Sequence, residues 1–286
     1  MKIQSSKQGL KKTYFSEKKL RICGRYGIIT FALLFALFPI VWIVLTSFKT
    51  PSEVIHSPPI WIPREPSFNH YVGALKLRGL TAFKNSLIIA SASTVLSLLL
   101  GSMGAYSIAK WGTGGKLLPL SLLAMRMLPP IAVVFPVFLI FKTLQWIDTY
   151  RAVILMHLTF NLPYSIWMLR GFFAEIPKEV EESARIDGCS ELGVFGKITL
   201  PLAAPGLIAT GIFCFIFSWN EYPFALVLTR RNAITLSVVL PGYFGSQMVF
   251  WGEVGALSTI AILPLFILGI LVKKHLTRGL TMGAVK

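Results

Sequence analysis

Residues 26–47 read YGIITFALLFALFPIVWIVLTS, with no Asp, Glu, Lys or Arg among them. A helix needs about 20 apolar residues to cross the ~30 Å hydrocarbon core of a bilayer, and this run is long enough. Five more apolar blocks follow, at 85–109, 117–141, 152–172, 203–228 and 254–272. The whole chain shares the bias: of 286 residues 54% are apolar and only 14% charged. Mean hydropathy is +0.67, whereas a soluble domain carries about a quarter charged residues. The sequence predicts an all-α polytopic membrane protein with six transmembrane helices.

The charges then orient it. Before the first block sit Lys2, Lys7, Lys11, Lys12, Lys18, Lys19, Arg21 and Arg25, with Glu17 as the one acid. Basic flanks stay on the cytoplasmic side, so both termini are expected inside, in agreement with Lys273, Lys274, Arg278 and Lys286 in the tail. Alternating the loops places eighteen Lys/Arg inside and nine outside, and leaves Arg126 within the third block. The net charge of +16 is therefore an orientation signal facing a lipid bilayer, and not a nucleic-acid footprint. The basic region is too long, and the apolar core exceeds the ~7–15 residues usual, for a cleaved signal peptide. Cys23, Cys189 and Cys214 fall inside or within the membrane without metal-ligand spacing, and are expected to be free thiols. Gly, Ala and Ser crowd the second and fifth blocks, which favours close helix approach.

Four regions result: a basic segment 1–25, the first block with a Pro-rich outside loop 26–80, a core 81–273, and a tail 274–286. The first outside loop, 48–84, holds HSPPIWIPREPSFNHY with Pro58, Pro59, Pro63 and Pro66. Proline this dense excludes a regular helix and suits an irregular cap, either a docking surface or a connector. The other outside loops, 142–151 and 230–253, leave no room for a catalytic or nucleotide-binding domain. No Gly-rich loop ending in Gly-Lys-Ser/Thr is present, so ATP is not hydrolysed here by that route. His56, His70, His157 and His275 are too scattered for a metal site. Neither catalytic residues nor a cofactor is expected, and any energy comes from a partner.

One segment breaks the pattern. EVEESARIDGCSELGVFGKITLPLAAPGL, 179–207, together with Glu175 carries Glu175, Glu179, Glu181, Glu182, Asp187 and Glu191, half of the twelve acids. Pro177 suits the first position of a helix, carboxylates suit its first turns, and Gly188 suits its end. A helix is therefore expected over 177–187. Val180 and Ala184 share a face with Gly188 one turn on, small enough for another surface to press against. Ser190 is placed to cap a second short element, and Pro201 and Pro205 mark entry to the fifth block. On charge alone the segment is equally a solvated loop helix.

The spacing resembles the permease subunit of bacterial ATP-binding-cassette importers. That family's cytoplasmic signature is Glu-Ala-Ala, three residues, Gly, nine residues, then Ile-x-Leu-Pro. Here it reads Glu182-Ser183-Ala184, then Asp187 and Gly188, then Ile198-Thr199-Leu200-Pro201, with serine for the first alanine. RMLPPIAVVFPVFLIF from Arg126, FSWNEYPFALVLT from Phe217 and RGLTMGAVK from Arg278 are similar to the six-span, short-tailed subunit of maltose-type carbohydrate importers.

The resemblance implies a bacterial inner-membrane protein that moves a sugar, oligosaccharide or polyol. It implies a second homologous permease, two ATPase subunits and an extracytoplasmic solute-binding protein as partners. The loop 173–202 would be the coupling element, touching the ATPase through Glu182, Ser183, Ala184, Asp187, Gly188, Ile198, Leu200 and Pro201. Gly279, Thr281 and Gly283 of the tail would be further ATPase contacts. Alternatives are the same fold carrying a phosphate ester or polyamine, or an ion-coupled secondary transporter. The latter calls for acidic or histidine relays or repeated broken helices, and only Glu221 qualifies.

Polar groups inside the blocks are the candidates for a solute pathway. An ionisable residue in a span costs at least ~2.5–3.5 kcal/mol, which singles out Arg126, just before Pro129 and Pro130, and Glu221. Asn161 and Asn220 are similar cases. Trp219 offers either a stacking face for a sugar ring or ordinary core packing.

Overall fold

The computed structural model describes residues 2–244 and 249–282, without the side chains of 2–21, 23, 123 and 272–282. The basic side chains ahead of Ile22 and the thiol of Cys23 thus lie outside what is described. The helices run α1 (Lys2–Ser47), α2 (Asn69–Trp111), α3 (Leu117–Met125), α4 (Pro130–Thr143), α5 (Tyr150–Ala174), α6 (Lys178–Ile186), α7 (Glu191–Leu202), α8 (Ala204–Trp219), α9 (Pro223–Leu228) and α10 (Trp251–Met282). The protein is an all-α polytopic membrane protein. Helices within α1, α2, α5 and α10 are each long and apolar enough to cross a membrane, and α7 with α8 makes a fifth candidate bent by 78°. On α1 the side chains of Ile28, Phe31, Phe35 and Phe38 are all more than half exposed, as a helix bathed in lipid requires.

Two of the six blocks are not continuous helices. The third is split at Pro129, which is extended (φ −62°, ψ 128°). Two prolines in succession remove two amide donors and push the preceding residue out of the helical region. The resulting α3 and α4 have 9 and 14 residues, each too short at ~1.5 Å per residue to cross the core alone. The fifth block stops at Trp219, turns through Asn220–Tyr222 and resumes as α9. The irregular part of the first loop is also shorter than expected, because α2 already begins at Asn69 and reaches the second block through one wide π-type turn at Leu75–Gly79.

Helices α2, α5 and α8 pack on one another and form the centre of the bundle, while α1 and α10 pair beside them. Small residues let this happen. A β-carbon at Gly101 would lie 2.8 Å from the Ser165 β-carbon and closer still to its hydroxyl. Only glycine therefore allows α2 and α5 their separation there. The contacts among α2, α5 and α8 are stitched by polar groups that have no water to turn to. Ser165 donates to the Ser97 carbonyl (2.8 Å), and the hydroxyls of Ser93 and Ser218 meet at 2.8 Å. Asn161 donates to the Cys214 carbonyl (3.1 Å) and to Ser218 (2.9 Å). Cys189 and Cys214 are free thiols.

At the end of the bundle away from α6, carboxylates fasten the loops. Glu53 accepts the amides of Thr50 (3.0 Å) and Arg64 (2.8 Å), which folds the Pro-rich stretch back on itself. These amide bonds hold its carboxyl below the usual glutamate range. Asp148 accepts the backbone N–H groups of Arg230, Arg231, Asn232 and Ala233, all at 2.9–3.0 Å. Partial burial pushes its pKa up, but the four amides outweigh that and leave it below the usual aspartate range.

Asp148→Ala is expected to cost about 1.5–3 kcal/mol, the net worth of hydrogen bonds to a charged group, since the exposed amides of Arg230, Arg231 and Asn232 return to water. The depressed pKa sets the sign with pH. This stability is present above the unfolded value near ~3.9 and is lost as pH falls through the lower folded value. Melting curves of the detergent-solubilised protein should differ between wild type and variant at pH 7 and begin to converge as pH falls below about 4. Equal melting at pH 7 would remove Asp148 from the stabilising groups.

Candidate functional site

The acidic segment folds as two helices in a hairpin. Pro177 caps α6 from just outside, one position earlier than expected, and Glu179 and Glu181 occupy the first turn. The helix ends on Gly188 with φ +89°, backbone that a side chain would strain. There the Gly188 amide donates to Arg185 O (3.0 Å) and the Cys189 amide to Ala184 O (3.0 Å), the paired bonds of a Schellman stop. Ser190 caps α7, accepting the Gly193 amide at 3.2 Å. Arg185 grips Glu191 through two bonds, 2.7 and 3.1 Å. That bond holds the Glu191 carboxyl below its usual range; the pair is exposed and adds little stability.

The faces of α6 are not quite those the sequence pattern pointed to. Ala184 is buried against its own chain, as is Glu181. Glu182, Ser183, Asp187 and Gly188 are exposed. Ile186 is 87% exposed and Leu192, across the hairpin, 76%. Each stands next to an exposed acid in the chain, Ile186 beside Asp187 and Leu192 beside Glu191. Farther on, Leu200 packs with Phe195 against the cluster of Tyr106, Leu169 and Phe173. Ile198 is half-buried, and Pro201 is exposed at the end of α7, where the chain bends into α8. Gly279 and Thr281 belong to the last turns of α10, and Gly283 lies outside the described residues.

Sequence reasoning passed over the group beneath α6. The Glu181 carboxylate lies 3.3 Å from Lys110 Nζ, with both side chains almost wholly buried. It also accepts the Thr199 hydroxyl at 3.0 Å, and Lys110 donates to Ile176 O at 2.8 Å. The available signal was the i, i+3 spacing of Glu181 and Ala184, which puts an acid on the same face as a small core residue.

Within the apolar part of the bundle a cavity of about 420 Å³ is lined by Arg126, Met156, Phe160, Phe217, Asn220 and Glu221, among others. The Arg126 guanidinium sits over the rings of Tyr164 (4.7 Å) and Phe217 (4.5 Å), a cation–π cradle that offsets part of its desolvation. Glu221 caps α9 by accepting the amides of Phe224 (2.8 Å) and Ala225 (2.9 Å). His157 Nε2 lies 3.4 Å from the same carboxylate. Three of the five polar candidates thus meet at one cavity. The other two do not: Asn161 is spent on the α5–α8 contact described above. Trp219 is buried between Phe83 and Phe215, its indole N–H donating to Ala261 O at 3.2 Å. Among the described residues no cluster of His, Cys, Asp and Glu is arranged to hold a metal ion.

Residues 97–282 match the family model for the binding-protein-dependent transport system inner membrane component. The chain is 34% identical over 274 residues to the trehalose/maltose transport system permease protein MalG of Thermococcus litoralis, covering 93% of this chain and 97% of that one. It is 33% identical over 277 residues to the sulfoquinovosyl glycerol transport system permease protein SmoH of Agrobacterium fabrum, covering 96% of each. Its fold is similar, with a TM-score of 0.74 and 25% identity over 89% of this chain and 96% of the other, to a chain in the crystal structure of a bacterial ABC transporter involved in the import of the acidic polysaccharide alginate. The chain belongs to the binding-protein-dependent inner membrane components, the non-catalytic permease subunits of ABC transporters, whose ATPase activity resides in separate subunits.

Proposed function

We propose that this chain is the six-span, maltose-type permease forming half of the translocation pathway of a bacterial ATP-driven importer for a sugar, oligosaccharide or polyol. Both termini face the cytoplasm, and α3 with α4, broken at the prolines, completes the sixth crossing. A second, homologous permease supplies the other half of the pathway. Two ATPase subunits dock on the cytoplasmic side and a solute-binding protein delivers from outside. Relatives named for trehalose/maltose and for sulfoquinovosyl glycerol support the carbohydrate class.

The observation that carries the reading is the α6–α7 hairpin. It holds the family's Glu-Ala-Ala–Gly spacing, and it presents Ile186 and Leu192 bare beside Gly188. These form the ATPase-docking surface together with Glu182, Ser183 and Asp187, while Ala184, Leu200 and Ile198 hold the hairpin to the bundle. Arg126, Asn220 and Glu221 line the solute pathway.

The test is uptake of labelled oligosaccharides and polyols into proteoliposomes holding this chain with its partner permease, ATPase and binding protein. ATP-dependent uptake is expected with at least one of them, and Arg126→Leu should lower it about tenfold, a typical loss for one polar contact. Uptake of polyamines or phosphate esters alone would overturn the carbohydrate class. Normal uptake by Arg126→Leu would return that residue to a structural role.

A further inference from the structure

We propose that Glu181 is a positioning residue that makes the docking helix move as one body with the membrane bundle, through its buried pair with Lys110 and its bond to Thr199. The inference rests on reading α6 as the ATPase-docking helix. It concerns the opposite face of that helix, where Glu181 and Ala184 are buried within this chain.

The pair joins three elements at one carboxylate. Glu181 belongs to α6, Lys110 to the last turn of α2, and Thr199 to the wide turn inside α7. Lys110 adds a fourth tie, its bond to the Ile176 carbonyl just ahead of α6. Helix α2 is central to the bundle through its packing on α5 and α8. Beyond its bend, α7 continues into α8, whose far end brings Phe217 and Asn220 to the intramembrane cavity. A displacement of α6 is therefore handed to α2 at one end of Glu181 and toward α8 at the other.

A charged link suits this task in a way that apolar packing does not. Hydrophobic contact is non-directional; apolar surfaces resist compression but slide and part without a fixed register. A buried carboxylate cannot leave its cation without standing uncompensated in a medium of low dielectric. Its hydrogen bonds also fix direction as well as distance. The link therefore transmits pull as well as push. Among the described residues this is the only Lys/Arg–carboxylate pair with both side chains buried, since Arg185–Glu191 is exposed. In a chain with twelve acids, placing one under the docking helix is a costly choice that mere anchoring by grease would not need. The helix itself is bounded by Pro177 and by Gly188 at φ +89°, so it is stiff inside and demarcated at both ends.

The experiment compares Glu181→Gln, Lys110→Met and Lys110→Arg in the assembled complex with partner permease, ATPase and binding protein in proteoliposomes. Three quantities are read: recovery of the ATPase with the complex, basal ATP hydrolysis, and solute taken up per ATP hydrolysed. For Glu181→Gln and Lys110→Met the expected result is normal ATPase recovery and basal hydrolysis. Uptake per ATP should fall by about tenfold, within the usual range of coupling between sites. Lys110→Arg, which keeps the charge, should restore the ratio to within about threefold.

Unchanged uptake per ATP in both neutral variants would overturn the proposal. So would failure of both to assemble while Lys110→Arg assembles, because the pair would then be a fastener of the fold only. Ile186→Asp, on the outward face, separates this from the docking reading. If that variant binds the ATPase normally, docking through α6 is refuted, whatever Glu181 does.

Discussion

Ile186→Asp is expected to abolish ATPase docking and ATP-driven uptake while the protein still reaches the membrane at normal levels. Ile186 is 87% exposed, so the change removes nothing from the protein's own core, and surface substitutions of this kind leave stability within about 0.5 kcal/mol. The cost falls on the complex. Burying an isoleucine contributes about 1.5–3 kcal/mol, and an anchor of this kind sits at the apolar centre of an interface, where truncation costs most. Aspartate loses that burial and adds an unpaired charge. A loss of about 3–4 kcal/mol corresponds to docking weaker by roughly two to three orders of magnitude. Co-purification of the ATPase with the tagged permease measures it directly, and undiminished recovery would refute α6 as the docking helix.

The second large effect is on the bundle itself. Gly101→Ala adds one methyl group, placed 2.8 Å from the Ser165 β-carbon, against backbone-fixed atoms of a neighbouring helix. The helices must separate, and the Ser165–Ser97 bond (2.8 Å) goes with them. Overpacking of this sort costs about 1–3 kcal/mol, and the broken buried bond adds about 1 kcal/mol. For a chain of this size about 3 kcal/mol is a fall of roughly 6–12 °C in melting temperature. Gly171→Ala is the control, since a β-carbon there meets nothing within 4 Å. It should melt at or slightly above wild type, because alanine is the better helix former. If both variants melt alike, the close α2–α5 approach carries no stability.

The four long helices were legible because each contains a predominantly apolar run near the length a bilayer demands. The breaks were not. A hydropathy reading averages over a window whose mean Pro129 and Pro130 barely lower, so the split into α3 and α4 disappears into it. The acidic segment was legible in outline, with its cap at Ser190 and its stop at Gly188, because those signals are local. Its inward face was not legible for a non-local reason: Ala184 and Glu181 are both buried, and the partners of Glu181, Lys110 and Thr199, come from other elements. The Asp148 loop clasp is the extreme case, as its donors lie more than eighty residues along the chain and leave no pattern near the acid. Trp219 and Asn161 show the same limit, because residue type proposes what a side chain offers but the fold decides where it is used.

The polar stitches between α2, α5 and α8 also dictate an order of birth. A chain emerges from its N-terminus, so α5 is made while the groups that satisfy Asn161, 53 and 57 residues further on, do not yet exist. Helices α2 and α5 have what they need to pair at once, since Ser165 finds Ser97 between them. Asn161 does not, and an amide has no partner in lipid. The partners of Asn161 are thus in place only once α8 has been made, so the α5–α8 contact closes after the α2–α5 one.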